Sequence, residues 1–284
     1  MRLPGPKAVP GRQLGWSATD LASLPYARFW NPDMADISSD AHRAVANSPM
    51  AEQLFPPMAQ AIGTIVDAEV QNGFTVTSDC AIHVNLVTEM PGVTPAMIDW
   101  WFGWHSDSPE RYKLWHPRAH VHAQWARRPP AGTTGRARYV GHTSEVDEYL
   151  GSAMIRGAIQ FRRPEELGLV DAAVVAGVDA TAVCGRVGLV DLPVDIGYLA
   201  HHVQAVPGGS VMRSRFWLGG PNIAARKMPL RAVVPVAKRL SGLNELDARA
   251  LLVHCSQEMT HLASFLPALV AQESLAPAHA PFDE

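Results

Sequence analysis

The segment "ALLVHCSQEMTHLASFLPAL" near the carboxyl end restricts the fold more than any other stretch of the chain. Read as a helix, it has Ala250, Leu251, Leu252 and Val253 on one side of a His/Glu pair and Met259, Leu262, Phe265 and Leu266 on the other. Little of its circumference is left for water. Such a helix needs partners on most sides, and the chain before it supplies strands. The segments "CAIHVNLVTEM", "ARYVGHTSEVDEYL", "SAMIRGAIQF", "AAVVAGVDATAVCGRVGLV" and "YLAHHVQAVPGGSVMRSRFWLGG" are rich in Val and Thr. They are broken by "MPG" and "VPGG", which read as hairpin turns. Strands followed by one long apolar helix predict an α+β fold, an antiparallel sheet curled around that helix. The helix is expected to start near Asn244, a capping residue with Asp247 in the first turn, and to run to about Phe265. Pro267 should end or kink it.

The first 75 or so residues differ in texture. Prolines alternate with short helical patterns, "SSDAHRAVANS" and "MAEQLFPPMAQAIGTIVDAEV", and no strand alternation is visible. A small helical domain over residues 1–76 and a larger domain over 77–284 are therefore expected. One helical insertion interrupts the strands: "VTPAMIDWWFGWHSDSPERYKLW" opens on Thr94 as N-cap and Pro95 at the first helical position, then resumes after Ser108 and Pro109.

Composition excludes several classes. Twenty-four basic against 27 acidic residues, with no arginine-rich run, argue against nucleic acid as a partner. No apolar run is long enough to span a bilayer, and "MRLPGPKAVPGRQLGW" has no apolar leader core, so a soluble cytoplasmic protein with no membrane partner is expected, assembled as a homodimer. Cys80, Cys184 and Cys255 are odd in number and far apart, which suggests neither a disulfide framework nor a cysteine zinc site. Any metal must be held by His and carboxylate.

His254 and Glu258 stand one helical turn apart, so they share a face and can meet one atom. On a solvated helix this would be an ordinary exposed pair, but these flanks half-bury it, and an unpaired carboxylate is costly there. The stretch "WWFGWHSDSPERYKLWHPRAHVHAQW" holds five of the eight tryptophans and four of the twelve histidines. Of His116, His120 and His122, two would point the same way in an extended segment. In "TSEVDEYLG", Glu145 and Asp147 share one strand face and Val146 and Glu148 the other, while one of His201 and His202 should face inward.

The combination of "WWFGWH", "ERYKLWHPRAH", "VDEYLG", "MRSRFWLGG" and "LLVHCSQEMTHLASFLPAL", from about residue 80 to 270, resembles the 2,4-diacetylphloroglucinol hydrolase family, which also includes phloretin hydrolase. The resemblance implies a helix-grip fold like that of the birch pollen allergen and START domains, behind a small helical domain. It implies a zinc ion (Zn2+) held by two His and two Glu, carried here by His120, Glu148, His254 and Glu258, with Glu145 as the alternative to Glu148. It further implies cleavage of the bond between an acyl group and an aromatic ring. Tyr112 and His201, with His202 adjacent, would hold the hydroxyls of the aromatic ketone substrate and act as acid/base groups. The tryptophans, Trp104 among them, would wall the pocket. Two positions depart from the pattern. Phe216 stands where a tyrosine is expected, and "VHAQWARR" after His120 lacks the expected Asn and Asp. A non-haem iron oxygenase cleaving a β-dicarbonyl and a non-catalytic carrier of apolar ligands are the rival readings.

Overall fold

The computed structural model describes residues 9–61, 65, 72–169, 179–226 and 243–275. Three short helices come first: α1 (Ala18–Ser23), α2 (Ser39–Asn47) and α3 (Met58–Ala61). The expected helical continuation over 62–71 and the first part of the strand segment at 172–178 fall largely outside the described residues. Strands β1 (Gly73–Val76) and β2 (Ala81–Pro91) follow, then α4 (Pro95–Trp104) and α5 (Pro109–Trp115). Next come β3 (His120–Trp125), β4 (Thr143–Leu150), β5 (Ala153–Arg162), β6 (Ala180–Leu189), β7 (Val194–Val206), β8 (Gly209–Gly219) and the short β9 (Ala224–Ala225). The last element is α6 (Glu245–Leu275).

All strand pairs are antiparallel, in the order β1-β2-β8-β7-β6-β5-β4-β3, with β9 beside β7. Helix α6 touches both β2 and β4. These strands are five steps apart in the sheet, about 24 Å if the sheet were flat, against a helix diameter of about 10–12 Å. The sheet therefore curls around the helix, and the helix-grip arrangement follows. Leu252, Cys255, Met259, Leu262, Leu266 and Leu269 of α6 are fully buried in the same core as Val84, Leu86, Val203 and Met212 of the strands. Tyr26, Ala41 and Ala44 from the amino-terminal region join that core, and β1, which precedes residue 77, is hydrogen-bonded into the sheet.

Thr94 caps α4 through Met97 N, and Ser108 caps α5 through Arg111 N, each with proline at the first helical position. Three expectations are corrected. Helix α6 does not stop near Phe265 but continues through Pro267 to Leu275. Proline in a helix interior costs about 3 kcal/mol, and the burial of Phe265, Leu266 and Leu269 around it offsets that loss. "MPG" is no hairpin: Gly92, at φ +73°, turns the chain out of β2 towards α4. "VPGG" does form one, with Val206 paired to Gly209. The strand expected from Ala137 begins only at Thr143, after Gly141 turns the chain at φ +86°.

Candidate metal centre

Four side chains from three places in the fold converge. His120 opens β3 directly across from Glu148 of β4, and α6 adds His254 and Glu258. One ligand atom from each of His120, Glu148 and His254 lies within 4.8 Å of the other two, a group that can hold a metal ion. The Nε2 atoms of the two imidazoles are 3.3 Å apart. Glu148 Oε2 lies 3.6 and 3.7 Å from them, and Glu258 Oε2 3.5 and 3.7 Å.

The protons decide what this cluster needs. His120 Nδ1 is 2.9 Å from the carbonyl oxygen of Tyr112. A carbonyl only accepts, so Nδ1 carries the hydrogen and Nε2 a lone pair. His254 bonds the backbone of Tyr149 and turns Nε2 into the cluster, with the same result. Burial holds both rings neutral, His120 well below its ordinary pKa and His254 at about 4. Two lone pairs thus face each other among carboxylate oxygens, and a cation is the group that reconciles them. In a tetrahedral complex with bonds of about 2.0–2.1 Å, ligand atoms lie about 3.3–3.4 Å apart. The distances here fit a small divalent ion, whose charge two carboxylates would balance. Burial raises the pKa of both Glu148 and Glu258, and the neighbouring Glu148 adds to the effect on Glu258.

Surrounding groups hold the donors in place. The Tyr112 ring stacks on His120, 3.7 Å between centroids, and its hydroxyl donates to Glu148. Trp115 Nε1 donates to the carbonyl of Glu258 at 3.0 Å. His116 stacks on His254 at 4.7 Å and bonds Gln257. His116, Tyr149, Arg249, His254 and Gln257 also line a surface cleft of about 360 Å³.

Residues 59–271 match the domain family described as DAPG hydrolase PhiG domain. The chain belongs to the DAPG hydrolase family. A 2,4-diacetylphloroglucinol hydrolase of a Pseudomonas species is 31% identical over 260 residues, which is 86% of this chain and 87% of that protein. The phloretin hydrolase of Eubacterium ramulus is 27% identical over 276 residues, 94% of this chain and 96% of that one. Among solved structures, protein Ms6760 from Mycobacterium smegmatis aligns over 70% of this chain and 98% of its own at 12% identity and TM-score 0.36.

This DAPG hydrolase family member groups the remaining candidates less tightly. His201 and Phe216 face inward side by side, ring centroids 5.6 Å apart. Trp104 is placed elsewhere: it packs on Tyr26 and Trp100 and lies under Arg111, so Trp115 rather than Trp104 brings an indole to the cluster. The pairing of His120 with His122 on one face fails because β3 is irregular between them, and His122 comes to lie opposite Asp147. His120 is fully buried while His122 bonds Gln124 at the surface. Asp147 and Glu145 take the other face of β4 from Glu148: Asp147 pairs with Arg12 and Arg156, and Glu145 accepts from Gln124. His201 and His202 are both buried, on opposite faces of the sheet, because Ile65, Leu167, Leu169 and Trp217 cover part of its outer side.

Buried histidines give this family member a pH dependence. His105, His201, His202 and His261 are each held at about 4 by burial, against about 6.5 in an unfolded chain. Below 6.5 the unfolded chain binds protons that the folded one refuses. Their contribution to stability is therefore complete above about pH 6.5 and drains away as the pH falls towards 4, by up to about 1.4 kcal/mol per histidine per pH unit. The thermal unfolding midpoint should drop clearly between pH 7 and pH 5 in differential scanning calorimetry. A midpoint unchanged over that range contradicts the assignment of neutral buried rings.

Proposed function

We propose that the chain is a zinc-dependent hydrolase that breaks the carbon–carbon bond between an acyl group and a phloroglucinol-like aromatic ring. The observation that carries this reading is the pair of opposed Nε2 lone pairs framed by Glu148 and Glu258, in a chain related along most of its length to two hydrolases of aromatic ketones. Zinc bound there supplies a Lewis acid and a water of lowered pKa. In the overall reaction the acyl carbon takes the hydroxyl of water, the electron pair of the broken bond goes to the ring carbon, and that carbon takes a proton.

Tyr112, whose pKa burial and the nearby carboxylates raise well above its ordinary value, stays protonated and donates. Beside Glu148 it holds an oxygen of the substrate and keeps a proton in reach of the reacting carbon. His201, neutral and clamped between aromatic rings, hydrogen-bonds a second ring oxygen. Phe216 supplies apolar surface next to it. The reading includes a cytoplasmic homodimer. A free, exposed thiol at Cys80 fits a reducing compartment. No helix among the described residues is long and apolar enough to cross a membrane.

Metal analysis of the purified protein, followed by product identification with diacetylphloroglucinol and phloretin under anaerobic conditions, tests the proposal. Stoichiometric zinc and oxygen-independent release of the free acid support it. Turnover that requires oxygen, or no metal and no turnover, overturns it.

Phe216 also predicts substrate choice. Without a hydroxyl there, a ring hydroxyl brought next to His201 loses a partner, a cost on the order of 1–3 kcal/mol. Phe216→Tyr should raise kcat/KM on diacetylphloroglucinol by up to about tenfold relative to a less hydroxylated aryl ketone. Tyr112→Phe, assayed in parallel, should lower both. A wild type that already prefers diacetylphloroglucinol, with no response to Phe216→Tyr, contradicts the role given to this position.

A further inference from the structure

Strands β7 and β8 pair so that His201 lies directly across from Ser214, both on the inner face. Ser214 Oγ stands 2.8 Å from His201 Nδ1, and Ser214 is completely buried. Two rings fix the plane of the imidazole, Phe102 stacked at 6.1 Å and Phe216 edge-on at 5.6 Å. Ser214 also meets the thiol of Cys255, the residue after His254 on α6. Its single proton thus has two acceptors within reach, an imidazole nitrogen and a thiol sulfur, and the sulfur is much the weaker. His201 is neutral at pH 7, so its ring carries one hydrogen. The bond made by one nitrogen then decides which atom bears it.

We propose that Ser214 is a positioning residue: its hydroxyl donates to Nδ1 of His201, confines the ring to the tautomer with hydrogen on Nε2, and so presents Nε2–H as a donor to a substrate oxygen. The identity of that oxygen rests on the function proposed above, whereas the tautomer is a property of the protein alone. The donor fits the chemistry of an aryl ketone, whose carbonyl and ring oxygens all accept. It also gives Ser214 a task that packing does not. An alanine would fill most of the same space and leave Nδ1 free to carry the hydrogen.

Long-range ¹H–¹⁵N correlation spectra of the metal-loaded protein labelled in histidine read the tautomer directly. In the wild type His201 should carry hydrogen on Nε2, in Ser214→Ala the signal should shift towards a mixture of tautomers, and Ser214→Thr should restore it. With an acylphloroglucinol substrate, Ser214→Ala should lose about tenfold in kcat at unchanged zinc content, with Ser214→Thr recovering most of it. If Ser214→Ala does not fold, Ser214→Cys, similar in size and a weak donor, takes its place. A wild-type His201 with hydrogen on Nδ1, or a Ser214→Ala variant with unchanged tautomer and kcat, overturns the proposal. If the tautomer responds as expected while no acylphloroglucinol is turned over, the role of Ser214 stands and the proposed function fails.

Discussion

His254→Ala, His120→Ala and Glu258→Ala are each expected to lose most of the bound zinc and to lower turnover by at least about a hundredfold, roughly 2.7 kcal/mol of barrier. Each removes one donor of a cluster whose two imidazole nitrogens lie 3.3 Å apart and 3.5 to 3.7 Å from the carboxylate oxygens, distances that match one small ion, and each leaves the others around a gap that water must fill. His261→Ala is the control. It lies three residues beyond Glu258 on the same helix, but its Nδ1 accepts from Ala35 N at 3.3 Å, so the ring is turned to the amino-terminal segment. Metal content by atomic emission, with activity measured on the same samples, settles the matter. Full metal in His254→Ala, or loss only in His261→Ala, would sink the assignment.

Glu148→Gln should also lose metal and most activity, while Glu145→Gln should leave both near the wild type. The two acids sit three residues apart on one strand but on opposite faces. Glu148 accepts from Tyr112 and lies within 3.7 Å of both imidazole nitrogens. Glu145 accepts from Gln124 at the surface, away from the cluster. Removing the charge of Glu148 leaves a divalent ion with one fewer compensating negative group, and an amide oxygen is a poor replacement. Zinc titration of both variants against a competing chelator measures the difference. Equal and mild effects would mean that neither acid is a ligand.

Much of this was readable from local spacing. A turn-spaced His/Glu pair, capping residues before proline at Thr94 and Ser108, and the alternation that separates Glu148 from Asp147 depend on geometry within a few residues. At Pro267 distant packing outweighed a local rule. This proline is expected to end or kink the helix, yet α6 continues past it to Leu275 with buried side chains before and after it. The expectation that one of His201 and His202 faces inward holds for His201, and a satellite cluster over part of the outer side of the sheet buries His202 as well. The nearly unbroken apolar texture of "GYLAHHV" was the available sign of a strand buried on both faces. Nothing in the sequence announced the irregularity after His120, which separates it from His122.

The four candidate ligands form two pairs, and each pair is set by rules that hold anywhere in a protein. His254 and Glu258 are kept together by one helical turn, and His120 and Glu148 by direct opposition across one ladder. Neither pair needs the rest of the molecule to define its own spacing. What remains adjustable is a single relation, the seating of α6 on β3 and β4, guarded by Trp115 and Gln257 on either side. A centre built this way tolerates drift throughout the sheet so long as that seating is kept, and changes at Trp115 or Gln257, which supply no ligand, govern how closely one pair approaches the other.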